Sequence, residues 1–167
     1  ASNGRFRYLP VSETHGATND GVISVTLTSN HPNTVDWLDT LRIAVTNALT
    51  AANPYINYQA YDKNGNGTLD NDELQLVLVY AGYEAAYMNP ISPYIWAHGW
   101  SLYGTVPAPR LDGVFVGSWP VGYVAIGEIH RDSSASSHRA SIGIICHELG
   151  HKLGWVDLYD GDGSSDG

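Results

Sequence analysis

Apolar residues recur every three or four positions between residues 34 and 52, and this period predicts an amphipathic helix that Pro54 ends. Residues 22–28, VISVTLT, alternate apolar and polar side chains and predict a strand with one buried face. Residues 74–81, LQLVLVYA, are apolar almost throughout. That composition favours a central strand buried on both faces.

The second half of the chain predicts fewer regular elements. Residues 86–111 are rich in proline and aromatic residues without a period, which indicates an irregular excursion. Strands are predicted at 113–117 and 121–127, the second of them at an edge, and a polar loop at 133–137. A helix is then expected over 138–152. Helices packed on a mixed sheet make this an α+β fold.

Composition excludes some classes of function. The net charge is −9, and charged residues make up only 15% of the chain. An acidic surface does not suit nucleic acid, whose phosphates require a basic patch. No stretch of 18 apolar residues is present, so no membrane span is predicted. Cys146 is the only cysteine; we expect a small buried side chain there or, alternatively, a disulfide to a cysteine outside this sequence.

The sequence CHELGHKLGWVD contains a candidate metal site. On a helix, His147 and His151 project from one face, at the separation that one zinc ion needs. Glu148 between them is the candidate general base, which takes a proton from the attacking water. Gly154 allows the chain to leave the helix in a left-handed conformation, and this turn brings Asp157 back as a third ligand.

A solvated surface helix with two unrelated histidines is the alternative to a metal site. The apolar run at 142–146 argues against it, because it predicts a buried helix whose imidazoles need partners. A metal held by both histidines and a ligand from elsewhere also remains open. His130 and His138, in contrast, flank the predicted polar loop and are expected to be solvated.

A second candidate site follows the pattern of a twelve-residue calcium loop, DKNGNGTLDNDE. Gly67 falls at the sixth position, where such loops turn sharply. Because a strand is predicted after the loop, Glu73 is the least secure ligand, and a structural calcium is expected rather than a sensor. An Asn–Gly-rich turn without calcium is the alternative. The candidate calcium ligands are Asp62, Asn64, Asn66, Thr68, Asp70 and Glu73.

HELGHKLGWVDLYD resembles the extended motif of the metzincin clan of zinc peptidases, with Asp157 where most members carry a third histidine. Within the clan, the chain is most similar to the immune inhibitor A family of secreted bacterial metallopeptidases. The resemblance covers roughly residues 55–160. It is supported by YDKNGNGTLD at 61–70, VYAGYEAAY at 79–87 and IWAHGW at 95–100.

The resemblance implies a zincin-like fold in which the active-site helix packs on a twisted mixed sheet. It also implies a methionine on a turn after the ligand motif, whereas the one methionine, Met88, precedes the motif. We therefore expect residues 1–167 to be a single catalytic domain, mainly its N-terminal subdomain through the zinc helix. The C-terminal subdomain is expected to be missing, or to exist as a separate chain.

The function implied by the resemblance is that of a secreted, extracellular zinc endopeptidase with one catalytic zinc and structural calcium. Its substrates would be proteins or peptides, bound in an extended form along the edge strand before the zinc helix. Two alternatives remain at this point. One is a catalytically incomplete fragment, and the other is a calcium-binding or adhesion module with a vestigial zinc site.

Overall fold

The computed structural model describes residues 7–33, 39–87, 91–119 and 122–157. Neither α-helix in these ranges has the length and apolar character needed to cross a membrane. The helices are α1 (Asp39–Ala52) and α2 (Ile142–Lys152), with 3₁₀ turns at Asn53–Tyr55 and Tyr58–Tyr61. The strands are β1 (Val77–Glu84), β2 (Tyr94–Ile95), β3 (His98–Trp100), β4 (Arg110–Leu111), β5 (Val114–Phe115), β6 (Tyr123–Ser133) and β7 (Ser136–Arg139).

Five of the strands form one mixed sheet in the order β2-β1-β6-β3, with β7 paired to the far end of β6. β1 runs parallel to both β2 and β6, whereas β3 and β7 run antiparallel to β6. The prediction of an α+β fold with a mixed sheet is confirmed. The edge strand next to α2 is β3, so the prediction that the strand at 121–127 is an edge is wrong.

β6 is the strand that is buried on both faces. Tyr123 and Ala125 belong to the larger core, on the side that α1 covers. Val124 and Ile126, the alternate residues, belong to a smaller core beneath α2. Because successive side chains of a strand point to opposite faces, β6 joins the two layers and fixes α2 against the sheet.

The prediction that residues 74–81 are buried on both faces is wrong. Leu78 and Tyr80 pack against the larger core, but Val77 and Val79 are 40% and 57% exposed. The prediction failed because the apolar composition of residues 74–81 does not show how far a covering helix extends over the strand. α2 packs on β3 and β6, and the described residues leave the corresponding face of β1 partly open.

Residues 22–28 show the predicted alternation in burial without the predicted strand. Ile23, Val25 and Leu27 are partly buried while their neighbours are exposed. No ladder pairing forms in this segment among the described residues. The period-2 pattern therefore reports an extended chain with one covered face, since pairing depends on a second strand that the local sequence does not contain.

Three other boundaries differ from the prediction. The irregular excursion at 86–111 contains β2, β3 and β4, which are too short to show a period. The predicted strand at 113–117 is reduced to β5, which pairs with β4 across the two-residue turn Asp112–Gly113, both at positive φ. The predicted loop at 133–137 lies within the β6–β7 hairpin, so α2 begins at Ile142 rather than at 138. The predicted start of α1 at 34 lies outside the described residues.

Candidate metal centre

The C-terminal end of α2 has the hydrogen bonds of a Schellman motif. Gly154 has a φ of +85°, and its amide donates to the His151 carbonyl over 3.0 Å. The Trp155 amide donates to the Gly150 carbonyl over 3.0 Å. These two bonds define the motif and satisfy carbonyls that the last turn leaves free. The predicted left-handed exit at Gly154 is confirmed, and it directs the following residues back along the helix.

This turn places Asp157 against both histidines of the motif. Asp157 Oδ1 lies 3.2 Å from His147 Nε2 and 3.3 Å from His151 Nε2. Two ligand atoms about 2.1 Å from one zinc ion in tetrahedral geometry are about 3.4 Å apart. Among the described residues, this is the one group of three metal-ligating side chains whose ligand atoms lie within 4.8 Å of one another. The donor set and its spacing therefore fit zinc.

The tautomer of His151 adds a second argument for a cation at this position. His151 Nδ1 lies 2.9 Å from the Trp155 carbonyl oxygen. A carbonyl only accepts, so Nδ1 carries the proton, and Nε2 of the neutral ring presents a lone pair. That lone pair faces the Asp157 carboxylate. Two acceptors this close require a proton or a metal ion between them, and a backbone partner on the other ring nitrogen is typical of metal-bound histidine.

The cluster is more open than the apolar run before it suggested. The side chains of His147 and His151 are 42% and 31% exposed, and Ile142 is 74% exposed. Cys146 is also exposed and forms no disulfide, so the expectation of a small buried side chain is wrong. The error arises because only one face of α2 meets the sheet. Ile144, Ile145 and Leu149 occupy that face, and the histidines lie on another.

Glu148 points towards the edge strand and is buried, with 7% of its surface exposed. The Gly99 amide donates to its carboxylate. The tight neighbour at Gly99 is Lys152, whose Cε would lie 3.2 Å from an added Cβ, whereas Glu148 would be in ordinary contact at 3.4 Å or more. Burial raises the pKa of Glu148, while the nearby His147 and His151 and the amide bond act in the opposite direction. A carboxyl group with a raised pKa beside a metal cluster suits proton transfer.

Lys152 was not recognised from the sequence as a site residue. Its ammonium donates to the Trp100 carbonyl over 3.0 Å and so joins α2 to β3. Burial lowers the pKa of Lys152 to about 8, and the negative charge of Glu148 opposes this shift. The signal was available: a charged residue four positions after Glu148 lies on the same helix face.

Glu84 is a second residue that the sequence reading missed. It is 1% exposed, and its carboxylate accepts the amides of Ala86, Ala97 and Gly127 over 2.8–2.9 Å. These bonds connect the end of β1 with the segment before β3 and with β6. Burial raises the pKa of Glu84, and the amide bonds counteract it. The detectable signal was one acidic residue in the apolar stretch 74–87.

The candidate calcium loop is closed by its own backbone. The Asp62 carboxylate accepts the amides of Gly65, Asn66 and Gly67 over 2.9–3.2 Å. The Glu73 carboxylate accepts three further amides, those of Lys63, Asn64 and Asp70. Glu73 therefore folds over the loop, although it is the least expected of the six candidate ligands. Gly65 and Gly67 both have positive φ, at +71° and +78°.

The remaining candidate ligands also converge, with the two amides turned towards a carboxylate. Asn64 Nδ2 and Asn66 Nδ2 donate to Asp70 Oδ2 over 2.6 and 2.9 Å. Calcium ligation requires the amide oxygens of Asn64 and Asn66 to face inward, a half-turn of each amide group. Thr68 lies at the position that contributes a backbone carbonyl, beside Phe115 in an isolated bridge.

His130, His138 and Asp132 form another histidine–carboxylate group, on the β6–β7 hairpin. His138 Nε2 lies 3.1 Å from Asp132 Oδ1, and Tyr87 stacks on His130 with ring centroids 4.2 Å apart. The prediction that His130 is solvated is wrong, since it is 1% exposed. The hairpin strand β7 and Tyr87 cover it. The ligand atoms of His130, His138 and Asp132 do not all lie within 4.8 Å of one another, unlike those of His147, His151 and Asp157.

Comparison with known proteins gives one finding. The family model described as immune inhibitor A peptidase M6, catalytic domain, matches residues 15–167. Neither a curated protein nor a solved structure matches the chain. The matched range includes the calcium-like loop, β3, α2 and the turn to Asp157.

Proposed function

The chain belongs to the immune inhibitor A peptidase family, M6, and we propose that it is a secreted zinc-dependent endopeptidase acting on proteins or peptides. The observation that carries this proposal is the convergence of His147, His151 and Asp157 beside the buried carboxylate of Glu148. Family membership and this cluster both favour a peptidase over an adhesion module. Residues 1–167 are proposed to be one catalytic domain.

His147, His151 and Asp157 would hold the zinc ion and leave a coordination position open. When bound, zinc supplies Lewis-acid polarisation of the scissile carbonyl and lowers the pKa of water. The Trp155 carbonyl orients His151 through Nδ1, and the turn at Gly154 orients Asp157. An aspartate in place of a third histidine adds negative charge to the ligand set.

Glu148 is proposed to act as the general base and then as the general acid. Its carboxylate accepts a proton from the attacking water and returns it to the leaving amine. The raised pKa that burial gives this side chain favours both transfers near neutral pH. The Gly99 amide bond fixes the carboxylate against β3, so the base keeps one orientation.

β3 is the proposed substrate-binding strand. It pairs with β6 along one side, and the described residues leave its other side without a strand partner. An extended peptide can add to such an edge through backbone hydrogen bonds. Glu148 and Lys152 both contact β3, at Gly99 and at Trp100, so a peptide added to this edge would lie next to the metal cluster.

The loop from Asp62 to Glu73 is proposed to bind a structural calcium ion. Its three inward carboxylates, Asp62, Asp70 and Glu73, supply the charge and oxygen ligands that calcium prefers. The loop lies between the 3₁₀ turn at Tyr58–Tyr61 and β1. Calcium there would stabilise the connection between the α1 layer and the sheet. The family and the calcium-like loop support the proposal of secretion.

Cleavage of casein tests the proposed function. The protein is chelated, dialysed and supplied with zinc alone, calcium alone or both. We expect loss of cleavage on chelation and recovery with zinc, with calcium adding thermal stability. Cleavage that persists after complete removal of zinc would contradict the proposal. If zinc binds but no cleavage occurs under any condition, the chain is an incomplete fragment, and its complementation by a separate C-terminal chain becomes the next assay.

A further inference from the structure

A cleft of about 670 Å³ lies between the edge strand and the C-terminal end of α2. Its volume falls within the range typical of ligand-binding pockets. The walls are mainly apolar and aromatic, and the cleft is half open to solvent. Six of its lining residues are Gly99, Trp100, Tyr103, Trp119, His151 and Lys152.

The cleft is continuous with the candidate metal centre. His151 contributes both to its wall and to the cluster around Asp157. Gly99 and Trp100, on the opposite wall, belong to the strand proposed to bind the substrate backbone. A peptide held along β3 with one bond near the metal cluster therefore has a neighbouring side chain positioned to enter this cleft.

The aromatic walls are unusually accessible. Trp119 is 76% exposed and Tyr103 is 47% exposed, although both rings face a concave surface. Large aromatic side chains on a concave surface offer apolar area that a ligand can bury. Arg42 lies over the Tyr103 ring at 4.5 Å, and this contact favours the position in which the ring lines the cleft.

Lys152 gives the cleft a charge preference. Its ammonium is fixed at the wall by the bond to the Trp100 carbonyl. A basic side chain entering the cleft would meet this like charge in a partly desolvated site, which is unfavourable. An aromatic side chain meets the apolar walls without that penalty.

We propose that this cleft is a specificity subsite, which accepts a large aromatic side chain of the peptide substrate and rejects lysine and arginine. Trp119 and Tyr103 form the recognition surface. Lys152 is the discriminating residue, and it also positions the Trp100 wall. The inference rests on the proposed peptidase function, because the occupant is a side chain of the substrate.

Binding to an inactive variant tests the subsite without requiring cleavage. Fluorescein-labelled alanine hexapeptides carry a single Phe or Lys at each position in turn. Their affinities for zinc-loaded Glu148→Gln protein are measured by fluorescence anisotropy. We expect one position at which Phe binds about 10-fold more tightly than Ala and Lys binds more weakly than Ala. Equal affinities across the series would overturn the proposal.

Substitutions in the cleft then test whether the preference for Phe and the discrimination against Lys depend on its residues. In the Glu148→Gln background, Trp119→Ala should reduce the preference for Phe to about 2-fold or less. Lys152→Met should remove the discrimination against Lys, whereas Lys152→Arg should keep it. Trp96→Ala is the matched control, because Trp96 is also exposed and does not line the cleft. A preference that survives Trp119→Ala unchanged would place recognition elsewhere and overturn the proposal.

Cleavage of the same peptides by the wild-type protein separates the two proposals. Position-specific binding without cleavage means that the subsite stands and that this chain by itself is not an active peptidase, as expected of an incomplete fragment. Cleavage with no preference at any position means that the peptidase proposal stands and the subsite fails.

Discussion

His147, His151 and Asp157 meet through a helix and the turn that follows it, whereas the oxygens around Asp62 come from one uninterrupted loop. In the first site, two imidazole nitrogens face one carboxylate oxygen at 3.2–3.3 Å. In the second, the Asp62 and Glu73 carboxylates accept six backbone amides of the loop itself.

The difference concerns what holds each site together without its ion. The loop carboxylates already have donors, so the backbone of the loop keeps its shape through hydrogen bonds. The Trp155 contact of His151 places a proton on Nδ1, so in the neutral ring the Nε2 lone pair faces the Asp157 carboxylate. The histidine–aspartate cluster therefore needs a proton or a metal ion between its acceptors. The backbone of the loop is held by its own hydrogen bonds, although the Asn64 and Asn66 amides must still turn before they can ligate calcium. Removal of metal should affect chemistry at the first site and stability at the second.

The largest expected effect comes from Glu148→Gln, which removes the base and keeps the shape of the side chain. General acid–base catalysis contributes about 10²–10⁴-fold, and we expect a loss of kcat/KM of at least that size with zinc still bound. Casein cleavage and metal content measure the two quantities. Glu128→Gln, which changes an exposed glutamate on β6, serves as the control. Full activity in Glu148→Gln would exclude Glu148 as the base.

The second-largest effect is expected from Asp157→Ala, which should lower the affinity for zinc. Loss of an outer partner of a metal ligand costs about 10–100-fold, and we expect loss of a ligand to exceed that range. Competition with a chelating dye measures the affinity. Asp132→Ala is matched to it, since Asp132 also contacts a histidine, His138, outside the cluster. Unchanged affinity in Asp157→Ala would mean that the third ligand comes from elsewhere.

Asp62→Asn tests whether calcium binding at the Asp62–Glu73 loop stabilises the fold. Calcium at about 100 times its dissociation constant stabilises a folded protein by about 2.7 kcal/mol, or about 5–10 °C for a chain of this length. We expect this calcium-dependent shift in Tm to shrink by more than half, while zinc affinity stays constant. Asp72→Asn, at a non-ligand position of the same loop, should keep the shift. A Tm that never responds to calcium would leave the loop as a structural turn.

The smallest effect concerns His130, one of two buried histidines outside both sites among the described residues. Burial lowers its pKa below the usual 6.5, and neither ring nitrogen has a hydrogen-bond partner in the part of the chain described. The unfolded chain therefore binds a proton more readily, and the stability present above pH 6.5 decreases as pH falls towards the folded pKa. His130→Phe should weaken this decrease between pH 7 and 5 in urea unfolding. An equal slope in His130→Phe would show that other groups cause the loss.

Local patterns in the sequence predicted the parts of both sites that depend on neighbouring residues. The spacing of His147 and His151 reflects the helix period, and Gly154 marks the exit because glycine accepts a positive φ. The loop from Asp62 to Glu73 was recognisable for the same reason: the bonds that its Asp62 and Glu73 carboxylates accept connect residues at most ten positions apart. Short-range geometry is encoded by residue types that lie close together in the chain.

Only the tertiary structure decided which surfaces these elements share. Burial of β6 rather than β1 on both faces depends on where α2 crosses the sheet. The contact of Lys152 with Trp100 and that of Glu84 with Gly127 join residues 52 and 43 positions apart. Hydrophobic periodicity indicates that one face of a helix or strand is covered, but it does not indicate which element covers that face. The cleft beside His151 arises from such partners, and for that reason it became visible only in the folded chain.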